Sequence, residues 1–394
     1  MVTQHSEDWR KQRFDFIFTG AGCAALSLLM RMIKSGRFSH NRILLIEKDR
    51  KMTNDRTWCF WEKESGFFEE IVYKQWNSLD FFGKGGPVYL TIKPYVYKMI
   101  RGIDFYNYCF NEIRKQSNIV IIQGQVGEVL SDNENITIEI DDELWDGGKA
   151  IVFNSIYRVP QNKDGLIYLL QHFTGWIIQS DRVSFDPHKG TLMDFRISQQ
   201  PGTGFIYALP LSENRALVEY TLFTETLLDK QQYHLGLRSY LHDFLKIDSY
   251  EIQEEEFGII PMTNQVFDFY KNGVYNIGTA GGQTKASTGY SFQFIQKQSQ
   301  RIIDCLMENR SLQSLQPLPK RFKFYDTIFL RMLAEGKLSG VDIFTRLFAR
   351  NKTSSIFRFL DNETSLAEEL RIIASLPTIP FLKAAVAKGI RNEK

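Results

Sequence analysis

The stretch from Phe14 to Ala25 constrains this chain more than any other. Phe14 to Thr19 has the length and apolar character of a buried strand in a parallel sheet. Gly20, Gly22 and Ala25 then fall at the spacing of the G-x-G-x-x-G/A turn that leads from such a strand into a helix. Gly20 permits the tight turn, Gly22 lets a pyrophosphate approach the backbone, and Ala25 is small enough for helix and strand to pack. Leu26 to Lys34 reads as the helix, with Gly36 as its stop. Ile43 to Ile46 reads as a second strand, ending at Glu47, where a carboxylate can accept hydrogen bonds from a ribose 2′-hydroxyl. The free N–H groups and positive end of the helix suit phosphates. Dinucleotide binding is the functional reading; a glycine-rich turn in an ordinary α/β domain is the bland one. Glu7, Asp8 and Asp15 argue against a signal peptide, and the apolar run is too short for a membrane span.

The chain has 394 residues, enough for two or more lobes, and a net charge of +2, which gives no electrostatic case for nucleic acid. Four cysteines (Cys23, Cys59, Cys109, Cys305) lack metal or redox spacing and suit free thiols at a reducing, cytosolic face. Six histidines show no ligand pattern, so no metal is expected.

Residues 1–12 read as a polar tail. Residues 13–72, 100–155 and 271–310 read as three parts of one nucleotide-binding domain. Its last part contains a second strand, a glycine-rich turn (Gly278, Gly281, Gly282) and a long helix to about Glu308. Residues 73–99 and 156–270 are strand-rich and read as an inserted substrate domain, with a helix at about 227–246. The fold class expected is therefore α/β, a Rossmann-like parallel sheet with an inserted β-rich domain and C-terminal helices. Trp58, Phe60 and Trp61 lie in a polar-flanked segment, either stapled onto the core or lining a cavity. Arg101 precedes a helix that Asp104 can cap; it is a candidate phosphate contact or a surface arginine. Residues 311–394 are helical, aromatic and basic: either packed helices with solvated faces or a surface that dips into an anionic membrane.

Several segments together resemble the flavin-dependent lycopene cyclase family, in its bacterial lycopene β-cyclase branch. They are the fingerprint, Arg56 to Phe60, Gln171 to Trp176, Met193 to Arg196, Phe205 to Pro210, Leu217 to Thr221, Gly278 to Gly282, Ser287 to Tyr290 and Phe359 to Glu363. Each is short; their order and spacing, over about 14 to 385, make the match specific. Many plant members pair two acids where this chain has Glu219-Tyr220, so only the first acid carries over. The resemblance implies an FAD-binding domain, an apolar C40 carotenoid substrate and ring closure without net redox change. Lycopene would become β-carotene through γ-carotene, in an intramolecular lyase or isomerase reaction. NADPH or another donor would keep the FAD reduced. The enzyme would be a peripheral membrane protein on the cytoplasmic face.

Such a cyclisation starts with a proton delivered to an isolated alkene and proceeds through tertiary cations. It needs an acid, a dry cavity and groups that tolerate positive charge. Glu219 lies in a largely apolar strand, Ala216 to Leu222. It is either buried and functional, where burial raises its pKa, or on the strand's solvated face. The faces of Trp58, Phe60, Trp61 and Tyr207 can stabilise cations, as can an anionic reduced flavin near the helix that follows Gly282. The reduced flavin itself is an alternative proton donor, with Glu219 as base or orienter. Other readings on the same scaffold are an FAD-dependent monooxygenase or isoprenoid reductase, and a non-catalytic flavin-stabilised carotenoid carrier.

Overall fold

Every residue of the Phe16–Thr19 and Ile43–Glu47 strands is buried, and their place in the sheet explains it. A computed structural model describes residues 9–132, 135–315 and 319–377. In it, Phe16–Thr19 pairs in parallel with Ile151–Asn154 on one side and Ile43–Glu47 on the other. Ile119–Gln123 completes one edge, and Val274–Asn276 followed by Tyr270–Lys271 the other. Only the last pairing is antiparallel. Alternate side chains go to opposite faces. Phe16, Phe18, Ile43 and Leu45 pack under the helices Cys23–Ser35, Gly102–Ile113 and Phe292–Met307. Ile17, Leu44 and Ile46 pack under a small antiparallel sheet of Val126–Ser131, Ile136–Ile140 and Glu143–Gly148. With both faces covered, the strands read as unbroken apolar runs. Trp9, inside the expected polar tail, is buried here against Trp145, with ring centroids 5.2 Å apart; residues 1–8 lie outside the described residues.

Residues 156–270 are dominated by long antiparallel strands. Tyr168–Ser180 is one continuous strand. It lies between Tyr250–Thr263 and Arg215–Thr224 in a seven-stranded sheet that continues through Thr203–Pro210, Lys189–Asp194, Ser78–Gly83 and Gly86–Thr91. The helix Lys230–Asp243 covers one face: Ala216, Val218, Tyr220 and Leu222 pack beneath it with Trp176 and Ile178. The opposite parity, Leu217 and Phe223 with Glu219 between them, turns to the other face.

On that face lie the C-terminal helices Lys320–Ala334, Gly340–Arg350, Thr353–Leu360 and Leu366–Ser375, and a three-stranded sheet of Thr57–Glu62, Val96–Arg101 and Lys74–Trp76. Thr57–Glu62 thus pairs in this small sheet and not in the parallel one. Phe322, Phe344, Phe348 and Phe357, which the sequence offers as part of a membrane surface, are buried. Arg321 pairs with Glu369 and Arg358 with Glu368. Among the described residues no helix is long and apolar enough to cross a membrane. Residues 378–394 of the expected helical region lie outside the described residues.

Candidate active site

The fingerprint turn is built as its residue types require. Gly20 has φ +86°, and a Cβ there would sit 2.7 Å from Ser155 Oγ. Around Gly22 the space is open: a Cβ would meet nothing within 4 Å. The helix behind it has no side-chain cap and no acid in its first turn, so its free N–H groups are left for an anion. Ala25 is fully buried against the sheet. Glu47 stands at its strand end, but its carboxylate first braces the turn, accepting from Ala21 N–H at 2.5 Å and Asp49 N–H at 2.9 Å.

The second glycine turn, Gly278–Gly281, packs on the same helix. Gly278 has φ +63°, and its added Cβ would lie 2.9 Å from Ala24 Cβ. Gly281 is pressed against the Asn276 carbonyl and Gly282 against Phe267, so both are required by packing. The helix expected after Gly282 begins at Phe292, preceded by a loop. The guanidinium of Arg101 is held by Asp104 at 2.6 and 2.9 Å and lies over the Tyr73 ring at 3.9 Å. Asp104 correspondingly serves Arg101 and does not cap the helix.

A cavity of about 310 Å³ opens between the seven-stranded sheet, the three-stranded sheet and the loop before the long helix. The strand after Arg56 supplies Trp58 and Cys59, the seven-stranded sheet supplies Tyr207, Leu217 and Glu219, the segment before the long helix supplies Tyr290, and the helix itself supplies its first residue, Phe292. Trp58 and Tyr207 line it. Phe60 and Trp61 do not: Phe60 stacks on Phe292 at 4.2 Å and Trp61 on Phe357 at 4.2 Å, both inside the core. Trp58 and Phe60 share a parity, so alternation does not separate them; the packing of Phe292 between the sheets does.

Glu219 is the acid that the seven-stranded sheet brings to this cavity, with Asp55 at its wall, and it has a neighbour the sequence reading missed. Tyr207, Glu219, Gly175 and Glu256 stand opposite one another on four adjacent strands. Residues opposite in an antiparallel ladder share a face, so the two acids flank a glycine on the cavity side. Burial, then the neighbouring Glu256, raises the Glu219 carboxyl to about 8; the Thr221 hydroxyl, donating at 2.7 Å, opposes the shift. Burial likewise raises Glu256 to about 7, opposed by the Thr57 hydroxyl, which donates at 2.7 Å. The phenols of Tyr97, Tyr207 and Tyr290 and the thiol of Cys59 are all raised by burial, so they stay neutral. Proton exchange near neutral pH falls to the carboxyl pair. A signal for Glu256 exists in the sequence: it shares strand parity with Ile260 and Met262. Exposed Phe257 and Ile259, at the other parity, blur it.

The loop that closes the cavity is anchored by a buried ion pair. Lys285 Nζ lies 2.9 Å from Asp326 and donates to Asn362 at 2.9 Å, and Ser287 donates to the same carboxylate at 2.7 Å. Gly289 and Tyr290 face the first cavity. Ser287 and Thr288 face a second one of about 220 Å³, walled by apolar side chains of the C-terminal helices. Other motif residues are structural: His172 bonds Tyr233 and Thr224, and burial lowers it to about 4, so it is neutral.

The description "Lycopene cyclase protein" fits a family model matched by residues 15–386. The chain belongs to this family. It is 24% identical over 403 aligned positions to a lycopene beta-cyclase of Pantoea ananas, spanning 95% of this chain and 97% of that one. Its fold is similar to a geranylgeranyl bacteriochlorophyll reductase-like protein of Thermoplasma acidophilum (TM-score 0.66, 12% identity, 94% and 98% of the chains). It is also similar to a flavoprotein/dehydrogenase of Cytophaga hutchinsonii (TM-score 0.64, 10% identity, 96% and 100%). The lycopene cyclase chain therefore has a Rossmann-like FAD-binding fold. Among its described residues no group of histidines, cysteines and acids could hold a metal. All four cysteines are free thiols.

Proposed function

We propose that this lycopene cyclase family member is a lycopene β-cyclase that closes ψ ends to β rings without net redox change. The observation that carries the reading is Glu219: an acid with a raised pKa, facing a cavity walled by Trp58, Tyr207 and Tyr290 in a chain of this family. Protonated at working pH, Glu219 delivers its proton to the terminal alkene of the substrate. The aromatic faces stabilise the tertiary cation while the neighbouring double bond attacks it. Loss of a ring proton to a carboxylate completes the isomerisation. The aromatic and apolar part of the wall, with substrate filling the cavity, limits the water that can reach the cation.

FAD fits the open space beside Gly22 and the uncapped helix behind it, and Glu47 keeps lone pairs for a ribose hydroxyl. Gln171 Oε1, in the cavity wall and without a partner among the described residues, offers an acceptor for a ring N–H. Reduced FAD, with NADPH or another donor, would supply negative charge to the cavity. Arg101, fixed on Asp104, is not assigned a phosphate contact. A C40 chain needs more room than one cavity, and the second, beyond Ser287 to Tyr290, has the apolar walls its remainder requires. The protein would act peripherally at the cytoplasmic face of the membrane, where carotenoids dissolve. Exposed Phe257 and Ile259, on the edge strand beside the cavity, offer apolar surface for that contact.

Expression in lycopene-accumulating cells, followed by pigment chromatography, tests the reading. β-Carotene and transient γ-carotene are expected, with no NADPH consumed per ring. Glu219→Gln should keep flavin and lose at least ~10²-fold in rate, the scale of a general acid. Stoichiometric NADPH use would reassign the protein to a redox flavoenzyme, the alternative the scaffold of its structural neighbours supports. Lycopene bound but unchanged would make it a carrier. Normal cyclisation by a flavin-replete Glu219→Gln protein would move the acid role elsewhere.

A further inference from the structure

We infer that Glu256 is the positioning residue for the proton that Glu219 delivers: the two carboxyls, on different strands, hold one proton between them across Gly175. This rests on the reading of Glu219 as the acid and adds the partner that the Glu219-Tyr220 sequence lacks.

The geometry is specific. Glu219 and Glu256 both stand opposite Gly175, from either side of its strand. A Cβ at Gly175 would lie 3.1 Å from Glu256 Cγ and 3.1 Å from Leu217 Cδ1, so any side chain there would crowd the space the acids use. Each acid is fixed by one hydroxyl: Thr221 donates to Glu219 Oε1 and Thr57 to Glu256 Oε2. Glu256 Oε1 is left buried with no partner among the described protein donors. No ion pair to either carboxyl is present among the described residues. Tyr97, Cys59, Tyr207 and Tyr290 face Glu219 from the surrounding strands and loop, and all are neutral. Asp55 and Glu254 face Glu256 and add negative charge; the Arg56 cation is held by Asp55. Two ionised carboxylates in this site repel each other with one hydroxyl each and no ion pair to compensate, whereas one shared proton satisfies the orphan oxygen.

The proton balance closes. Glu219 gives its proton to an alkene carbon, and the neighbouring alkene pair forms the ring bond. The ring carbon then loses a proton to the Glu219 carboxylate. Glu256 stays ionised throughout: it holds the proton on Glu219 before delivery, and its charge favours the proton's return. Glu256 does not itself touch the substrate.

The test is an infrared pH titration of the protonated-carboxyl band in the FAD-bound protein, with Glu219→Gln identifying the band by its loss. Glu256→Gln removes the like charge. The midpoint should fall by one pH unit or more, a tenfold change in the protonation constant. Thr57→Val removes a hydrogen bond that stabilises the Glu256 anion, so the pair should keep its proton to higher pH. The alkaline limb of cyclisation should move in the same two directions. A structural role for Glu256 would move neither midpoint nor limb. An unchanged midpoint in Glu256→Gln overturns the pair; if that variant does not fold, an unchanged midpoint in Thr57→Val does. A shifted midpoint in a protein that makes no β-carotene would keep the pair and reject only the cyclase reading.

Discussion

The indole of Trp61 lies flat on the ring of Phe357, centroids 4.2 Å apart and planes 7° apart, while its N–H donates to Asp361 at 2.8 Å. Trp61 is thus a bolt between the strand that carries Thr57 and Trp58 and the C-terminal helices. The stack and the hydrogen bond can be removed separately. Trp61→Phe retains an aromatic face but leaves Asp361 without its donor, and should cost about 1–3 kcal/mol in urea unfolding. Trp61→Ala also leaves a large cavity and should cost about 3–5 kcal/mol.

Stability should fall as pH rises toward neutrality and beyond. Glu219 and Glu256 have folded pKa values of about 8 and 7, and burial raises Asp361 to about 6. An acid with a raised folded pKa binds more protons in the native state than in the unfolded one. Its stabilising contribution is full below the ordinary carboxylate pKa near 4 and lost as pH rises through the folded value. Glu219→Gln removes one ionisable partner, so it should melt higher than the wild type at pH 8, by on the order of 1–3 kcal/mol. The difference should close below pH 4. Calorimetry at both pH values checks it; a destabilised variant at pH 8 would mean that the pair is not strained when ionised.

The parts legible in the sequence are those that depend on near neighbours in the chain. Gly20, Gly22 and Ala25 report one turn, and continuous apolar runs report strands covered on both faces. Glu219 is visible because Ala216 to Leu222 is short and otherwise apolar. The rest depends on what lies opposite. Glu256 becomes a site residue only through the register that sets it against Gly175. Trp58 and Phe60 have the same parity and composition, and only the packing of Phe292 sends one to the cavity and the other to the core. Arg101 looks available in sequence, yet Asp104, one helical turn on, holds it. The aromatic, basic C-terminal helices suggest a surface, but Phe344, Phe348 and Phe357 supply core to the seven-stranded sheet, and Phe322 is buried against Tyr325 and Phe359.

Membrane contact, if made through the cavity's rim, should depend on the edge strand. Phe257 and Ile259 are 48% and 47% exposed and border the cavity. Replacing both with Ser removes exposed apolar area, together with the edge contact of Phe257 on buried Tyr233, and should reduce liposome flotation several-fold, at ~25 cal/mol per Å² of apolar area lost from the lipid contact. Activity on detergent-solubilised lycopene should change less. Flotation equal to wild type would place the contact on another surface.

Gly22 separates cofactor binding from folding more cleanly than any other position. A Cβ there meets no protein atom within 4 Å, and its φ of −79° is open to any residue. Gly22→Val should therefore fold, with apoprotein stability within about 0.5 kcal/mol of the wild type, as for changes that touch nothing. The same side chain fills the space that a pyrophosphate needs beside the uncapped helix. Flavin absorbance per protein should drop by at least ~10-fold, and Gly22→Ala should fall between the two. Gly20→Val is the contrasting control: its φ of +86° and the Ser155 hydroxyl 2.7 Å from the new Cβ make it a folding defect first. Absorbance of purified protein, together with urea unfolding of the stripped forms, measures both effects. A Gly22→Val protein that folds and carries full flavin would show that the phosphates bind away from this turn.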